Sequence, residues 1–142
     1  MFVKVCGMRS EHDMDLAVEL GYTAAGVVLH PASPRYVNPE LARDLAMYAS
    51  GRILRVAVGL TLEEVRSVAD AFDIVQTYET CRNMRHILAG GDPHLNGSHE
   101  YYLYDRSMGD GVFTEPVLFP EAIRSRLILA GGLNPANVRA VV

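Results

Sequence analysis

Short β-rich apolar runs alternate with amphipathic helical segments through the first half of the chain. No other feature restricts the fold as much. Residues 2–6 (FVKVC) form the first run, and Gly7 ends it. Ser10 is placed to cap a helix whose apolar face comes from Met14, Leu16, Ala17 and Leu20, with Gly21 closing it. Residues 24–29 (AAGVVL) are continuously apolar, as a strand buried on both faces should be. The loop HPASPRYVNPE follows, and Asn38 caps the next helix with Pro39 at its first position. Residues 53–60 predict a third strand. Thr61 and Glu64 form a capping box for a helix reaching about Ala71, and residues 73–76 (DIVQ) predict a fourth strand.

Strands that alternate with helices predict an α/β fold with a parallel sheet and right-handed crossovers. The continuing repeat favours a (β/α)8 TIM-barrel type over an open sheet. The first strand is not followed by G-x-G-x-x-G, which weighs against a dinucleotide-binding domain. The second half is less regular. Residues 84–89 (MRHILA), 101–105 (YYLYD) and 126–130 (RLILA) read as strands, the last running into Gly131-Gly132 and a helix starting at Asn134-Pro135. Only about six residues, within 77–83, separate the fourth and fifth runs, whereas a parallel crossover usually takes roughly a dozen or more. The expectation is a chain break or missing residues there, or a role outside the barrel for residues 84–89. The link GGDPHLNGSHE has no helical pattern. The chain has 142 residues, against roughly 200–250 or more for a complete barrel. We therefore expect one domain over 1–142, a barrel lacking its eighth βα unit and the helix after strand four.

Composition excludes several functions. Apolar residues make up 49% and charged residues 21%, an ordinary globular balance that argues against disorder. The net charge of −4 does not suit a nucleic-acid footprint. No apolar run reaches the roughly 18 residues of a membrane span. Met1 leads straight into a strand, so a signal peptide is not expected. Two cysteines, Cys6 and Cys81, make no disulfide framework, and a reducing, cytoplasmic setting is the simplest expectation. The five histidines (His12, His30, His86, His94 and His99) show no metal-ligand spacing. His94 and His99 form only a loose polar cluster with Asp92. No metal site is expected.

Several motifs together resemble one family, phosphoribosylanthranilate isomerase of tryptophan biosynthesis. The family's opening strand V-K-[IV]-C-G is matched by Val3-Lys4-Val5-Cys6-Gly7, and its S-P-R-Y-V loop by Ser33-Pro34-Arg35-Tyr36-Val37. Of its fourth-strand V-Q-L-H-G, Val75 and Gln76 are present, with Thr77 and Tyr78 in place of Leu and His. Its sixth strand ends in an aspartate before a glycine-rich segment, matched by Asp105 with Gly109-Asp110-Gly111 and Phe113. The [AS]-G-G-L-N-P-x-N-V motif is matched by residues 130–138.

The resemblance implies an Amadori rearrangement of N-(5-phosphoribosyl)anthranilate without metal or redox cofactor. An acid opens the ribose ring and a base removes the proton from the neighbouring sugar carbon. It implies Cys6 as base and Asp105 as acid, each at a strand end where barrel catalysts sit. Taken by themselves, Cys6 reads equally as a small buried hydrophobe and Asp105 as a cap of the following loop. Arg35 is implied to pair with the anthranilate carboxylate, and is otherwise an ordinary exposed arginine. Gln76 is implied to bind substrate. Gly131 and Gly132, before a helix start, suit a phosphate, though they also suit a plain tight turn. Two rivals remain at this level. One is a related phosphosugar isomerase using two aspartates, against which Cys6 argues. The other is a catalytically inactive barrel remnant serving as a binding or assembly partner.

Overall fold

The computed structural model describes residues 1–93, 97–107, 110–112 and 119–140. Gly109, Phe113 and His94 lie outside the described residues.

Among the described residues, seven strands form one parallel sheet in chain order: β1 (Lys4–Cys6), β2 (Ala24–Val28), β3 (Leu54–Val58), β4 (Ile74–Thr77), β5 (His86–Gly90), β6 (Tyr101–Tyr104) and β7 (Leu127–Leu129). Helices α1 (Glu11–Glu19), α2 (Pro39–Tyr48) and α3 (Leu62–Arg66) follow the first three strands, and a short α4 (Glu121–Arg124) precedes β7. The first three start where the side chains dictate. Ser10 Oγ accepts from Asp13 N, Asn38 Oδ1 from Leu41 N, and Thr61 Oγ1 from Glu64 N. The helix expected to reach Ala71 stops at Arg66 and resumes as a single 3-10 turn, Ala69–Ala71.

The strands are two-faced, and each face has its own core. Ala25, Val27, Ala57 and Val75 point outward and pack with Met14, Ala17, Leu45 and Ala46 of α1 and α2. Ala24, Val56, Ile74, Ile87, Ala89, Leu103 and Ile128 point inward and pack together across the concave side. The sheet curls far enough that Phe2, just before β1, stacks on Tyr101 of β6 with ring centroids 4.8 Å apart. This is the architecture of a (β/α) barrel carrying seven strands.

One expectation is overturned. β4 and β5 are adjacent parallel strands, with Val75 opposite His86 and Thr77 opposite Leu88, and the chain between them is continuous. The link 78–85 is eight residues long and contains no helix. The minimum of a dozen residues assumes a helix in the crossover. An extended eight-residue link spans up to about 26 Å, while a five-residue strand is only about 17 Å long. A bare return is therefore feasible. The link is held by Thr77 Oγ1 donating to Glu79 O (2.8 Å) and Leu62 N donating to Glu79 Oε2 (2.7 Å), and Cys81 is buried beneath it.

Among the described residues no helix lies between β4 and β6, yet the outer face of β5 is buried. His86 is fully buried on that face, and His99 is buried nearby, edge-on to Tyr102. Thr77 has one hydroxyl proton and gives it to Glu79 O, so His86 Nε2 must be the donor in its 3.0 Å contact with Thr77 Oγ1. His86 Nδ1 is left a buried acceptor with no hydrogen-bond partner among the described residues. Burial pushes this imidazole down to about 4, with a smaller contribution from His99. No helix among the described residues is long and apolar enough to cross a membrane.

Candidate active site

The C-terminal ends of the strands surround a cavity of about 610 Å³. Cys6 lines it from the end of β1, Gln76 from β4, Asp105 from just beyond β6, and Gly131 and Gly132 from beyond β7, with Arg35 at its rim. The six residues singled out from the sequence thus share one pocket.

Cys6 is half-buried and stands opposite Gly26 in the β1–β2 register. A Cβ on Gly26 would lie 2.9 Å from Cys6 Sγ and 3.4 Å from Lys4 Nζ, so only a glycine leaves room for both. The chain then turns at Gly7, whose φ of 98° belongs to glycine. The Arg35 side chain crosses this residue, its Cδ 2.5 Å from where a Cβ would be, and Nη1 donates to Cys6 O at 3.4 Å. The proline-braced loop holds Arg35 from below, where Ser33 Oγ accepts from Arg35 N.

Asp105 is buried, at 6% exposure, and Oδ1 accepts from Ser107 N (2.9 Å) and Ser107 Oγ (2.7 Å). These bonds fix the carboxylate at the mouth of β6. Asp110 lines the same pocket. Gln76 is also 6% exposed, and its Oε1 has no hydrogen-bond partner among the described residues. A buried, unpaired amide oxygen is costly, and here it borders the cavity.

Gly131 and Gly132 both have positive φ, 91° and 62°. The segment beyond them differs from expectation. Among the described residues it forms a turn and then a 3-10 turn, Val138–Ala140, rather than an α-helix. Asn134 Oδ1 accepts from Ala136 N and Asn137 N, and Asn137 Oδ1 accepts from Asn134 N, so side chains cap these amides. Among the described residues the amides of Gly131, Gly132 and Leu133 have no such partner.

Two further residues of the pocket, Tyr78 and His30, received no role from the sequence, and Glu64 stands behind His30. Tyr78 lies half-buried in the place of the family histidine. Burial, with the charges of Asp105, Cys6 and Asp110, pushes its phenol up to about 12, so it enters the site as a neutral donor. His30 Nδ1 lies 2.9 Å from Glu64 Oε1, and Leu60 N donates to Glu64 Oε2 at 2.7 Å. Burial works against the Glu64 carboxylate, but the His30 and Leu60 hydrogen bonds outweigh it and hold the group below its ordinary range. Glu64 was legible as a helix-start residue. Its reach to His30 was not, because that contact joins residues 34 apart.

No family model matches the chain. Individual proteins do. It is 32% identical to N-(5'-phosphoribosyl)anthranilate isomerase of Thermotoga maritima, over 99% of this chain and 81% of that protein. That alignment runs over 167 positions against 142 residues here, so the relative carries residues that this chain lacks within the matched span. The crystal structure of phosphoribosyl anthranilate isomerase from Thermotoga maritima superposes with a TM-score of 0.77 at 29% identity, covering 99% of this chain and 81% of that one. A structure of such an isomerase in complex with reduced 1-(o-carboxyphenylamino)-1-deoxyribulose 5-phosphate gives 0.73 at 29% identity, covering 99% and 80%. With fold and sequence in agreement over 99% of this chain, the chain belongs to the phosphoribosylanthranilate isomerase family.

Proposed function

We propose that the chain isomerises N-(5-phosphoribosyl)anthranilate to 1-(2-carboxyphenylamino)-1-deoxyribulose 5-phosphate, with Cys6 as base and Asp105 as acid. One observation carries the assignment of roles: Cys6 and Asp105 line a single cavity from β1 and β6, strands far apart in the sheet order. A sugar between them meets a proton donor on one side and an acceptor on the other.

The steps balance within the substrate. Asp105 gives a proton to the ribose ring oxygen. The C1–O bond breaks, and the nitrogen lone pair forms a C1=N iminium. The Cys6 thiolate takes the proton from C2, and the C–H electron pair forms C1=C2 while neutralising the nitrogen. The enol so formed passes its proton to C1 and becomes the ketone, and the proton held by Cys6 returns through solvent to Asp105, which restores both groups. One sugar carbon is oxidised as its neighbour is reduced.

Binding is shared among the remaining residues. Arg35 offers a guanidinium fork to the anthranilate carboxylate. Gln76 Oε1 accepts from a sugar hydroxyl or the anilino N–H, which satisfies the unpaired oxygen. Gly131 and Gly132 present their amides to the phosphate. Tyr78, neutral and between the acid and the base, donates to an oxygen of the sugar. The reading places the protein in tryptophan biosynthesis as an aqueous-phase enzyme acting on a small molecule.

The test is direct. The purified chain, given freshly formed phosphoribosylanthranilate, should quench the anthranilate fluorescence at a rate proportional to enzyme. A folded protein that binds the product analogue without turnover would favour the inactive-remnant alternative.

A further inference from the structure

We propose that Lys4 is a positioning residue for Cys6: its ammonium shares the bare surface of Gly26 with the thiol and supplies the positive charge against which the thiolate forms. The inference rests on the reading of Cys6 as the base, and goes beyond it by naming what activates that base.

The geometry begins with strand periodicity. Lys4 and Cys6 are two apart on β1 and project from the same face. Their partners on β2 are Ala24 and Gly26. The Lys4 side chain does not stay over Ala24. It runs along the strand until Nζ reaches Gly26, where the missing Cβ leaves a hollow. Sulfur and nitrogen both lie within 3.4 Å of that one point. They are therefore no more than about 6 Å apart, the range in which an opposite charge favours the ionised form.

The charges around Cys6 make a cation necessary. Asp105, the proton donor, and Asp110 from the following loop line the same cavity, and the charge of Asp110 opposes a thiolate. Tyr78 from beyond β4 is neutral, for the reasons given above. His30, beyond β2, is bonded to Glu64. Arg35 is exposed at the rim and turns Nη1 to the Cys6 carbonyl. Lys4 lies one step deeper than Cys6 on the same strand. Among the described residues no carboxylate forms an ion pair with it, so its charge is not already neutralised.

The experiment reads the thiolate itself. Alkylation of Cys6 by iodoacetamide is followed against pH by peptide mass spectrometry on the full chain, with the buried Cys81 as internal reference. In Lys4→Met the alkylation rate of Cys6 at neutral pH should fall about tenfold relative to Cys81, and kcat on the acid side of its profile should fall with it. Lys4→Arg should restore both. Gly26→Ala, which pushes sulfur and nitrogen out of their hollow while keeping the charge, should shift the profile the same way. Lys4→Gln substitutes if Lys4→Met does not fold. Profiles superimposable on the wild type in folded Lys4 variants overturn the proposal, even where turnover falls. Normal turnover in Cys6→Ser would instead remove the base assignment, and the alkylation profiles would still decide the Lys4 question.

Discussion

Asp105 Oδ1 lies 2.8 Å from the point where Gly131 would carry a Cβ. The proposed general acid and the first residue of the glycine pair therefore occupy neighbouring space that admits no side chain. Val112 O and Ser107 Oγ stand at 3.2 and 3.4 Å from the same point. Gly131→Ala would crowd the carboxylate and force a φ of 91° on a residue with a Cβ, a strain of about 1–3 kcal/mol. We expect kcat/KM to fall about 100-fold or more, since sub-ångström misplacement of a catalytic group has effects of that order. Steady-state kinetics on protein with a wild-type circular dichroism spectrum is the measurement. Undiminished kcat/KM would show that the contact does not govern the acid.

Removing either member of the acid–base pair should strike turnover rather than binding. Cys6→Ser and Asp105→Asn should each lower kcat by about 10²–10⁴-fold, with KM changed much less. Single-turnover kinetics alongside titration with the product analogue separates the two effects. A large rise in KM with kcat preserved would reassign the residue to binding.

Gln76→Leu should divide stability from function. The substitution keeps the volume and removes a buried oxygen that has no hydrogen-bond partner among the described residues. Unfolding midpoints in urea should rise or stay level, by up to about 1 kcal/mol. KM should rise at the same time, because a substrate donor loses its acceptor. A variant both less stable and unchanged in KM would falsify the role assigned to this amide.

Acid should loosen the cover over β5. His86 is pushed down to about 4 in the folded chain, from an ordinary value of 6.5. Between those values the unfolded chain binds the proton and the folded chain does not. The stability from this site is therefore complete above about 6.5 and declines as pH falls towards 4. His86→Leu should flatten that decline, and Thr77 keeps its hydrogen bond to Glu79 O in the variant. Urea titrations at several pH values compare the two slopes. Parallel slopes would place the acid sensitivity elsewhere, for instance at Asp73, which Arg55 holds below its ordinary range.

Periodicity and caps made β1 to β4, β7 and the first three helix starts readable, because each depends on residues close in sequence. Residues 24–29 announced a strand buried on both faces, and β2 is buried throughout. The β4–β5 crossover misled for a physical reason. Its length was judged against helical crossovers, while the strands are so short that an extended link suffices. The burial of His86 was equally hidden, since the absence of a helix decides what covers that face. α4 has only four residues, too few to carry a period. In the pocket, motif residues were legible and their neighbours were not. His30 and Glu64 meet only through the fold. Gly26 gave a faint signal, as an isolated glycine inside an apolar strand marks a close approach.

The eight-residue link 78–85 separates two jobs that a barrel normally performs together. Crossovers run outside the sheet, whereas the reacting groups stand on the strand ends, so shortening the former leaves the geometry of the latter in place. The outer layer around β4 and β5 is thereby a detachable part. Grafting a helix between Arg82 and Asn83, which leaves Tyr78 in the pocket, would alter girth while the Val75–His86 register held the reaction floor steady. Evolution can thus economise on scaffold length without redesigning the chemistry.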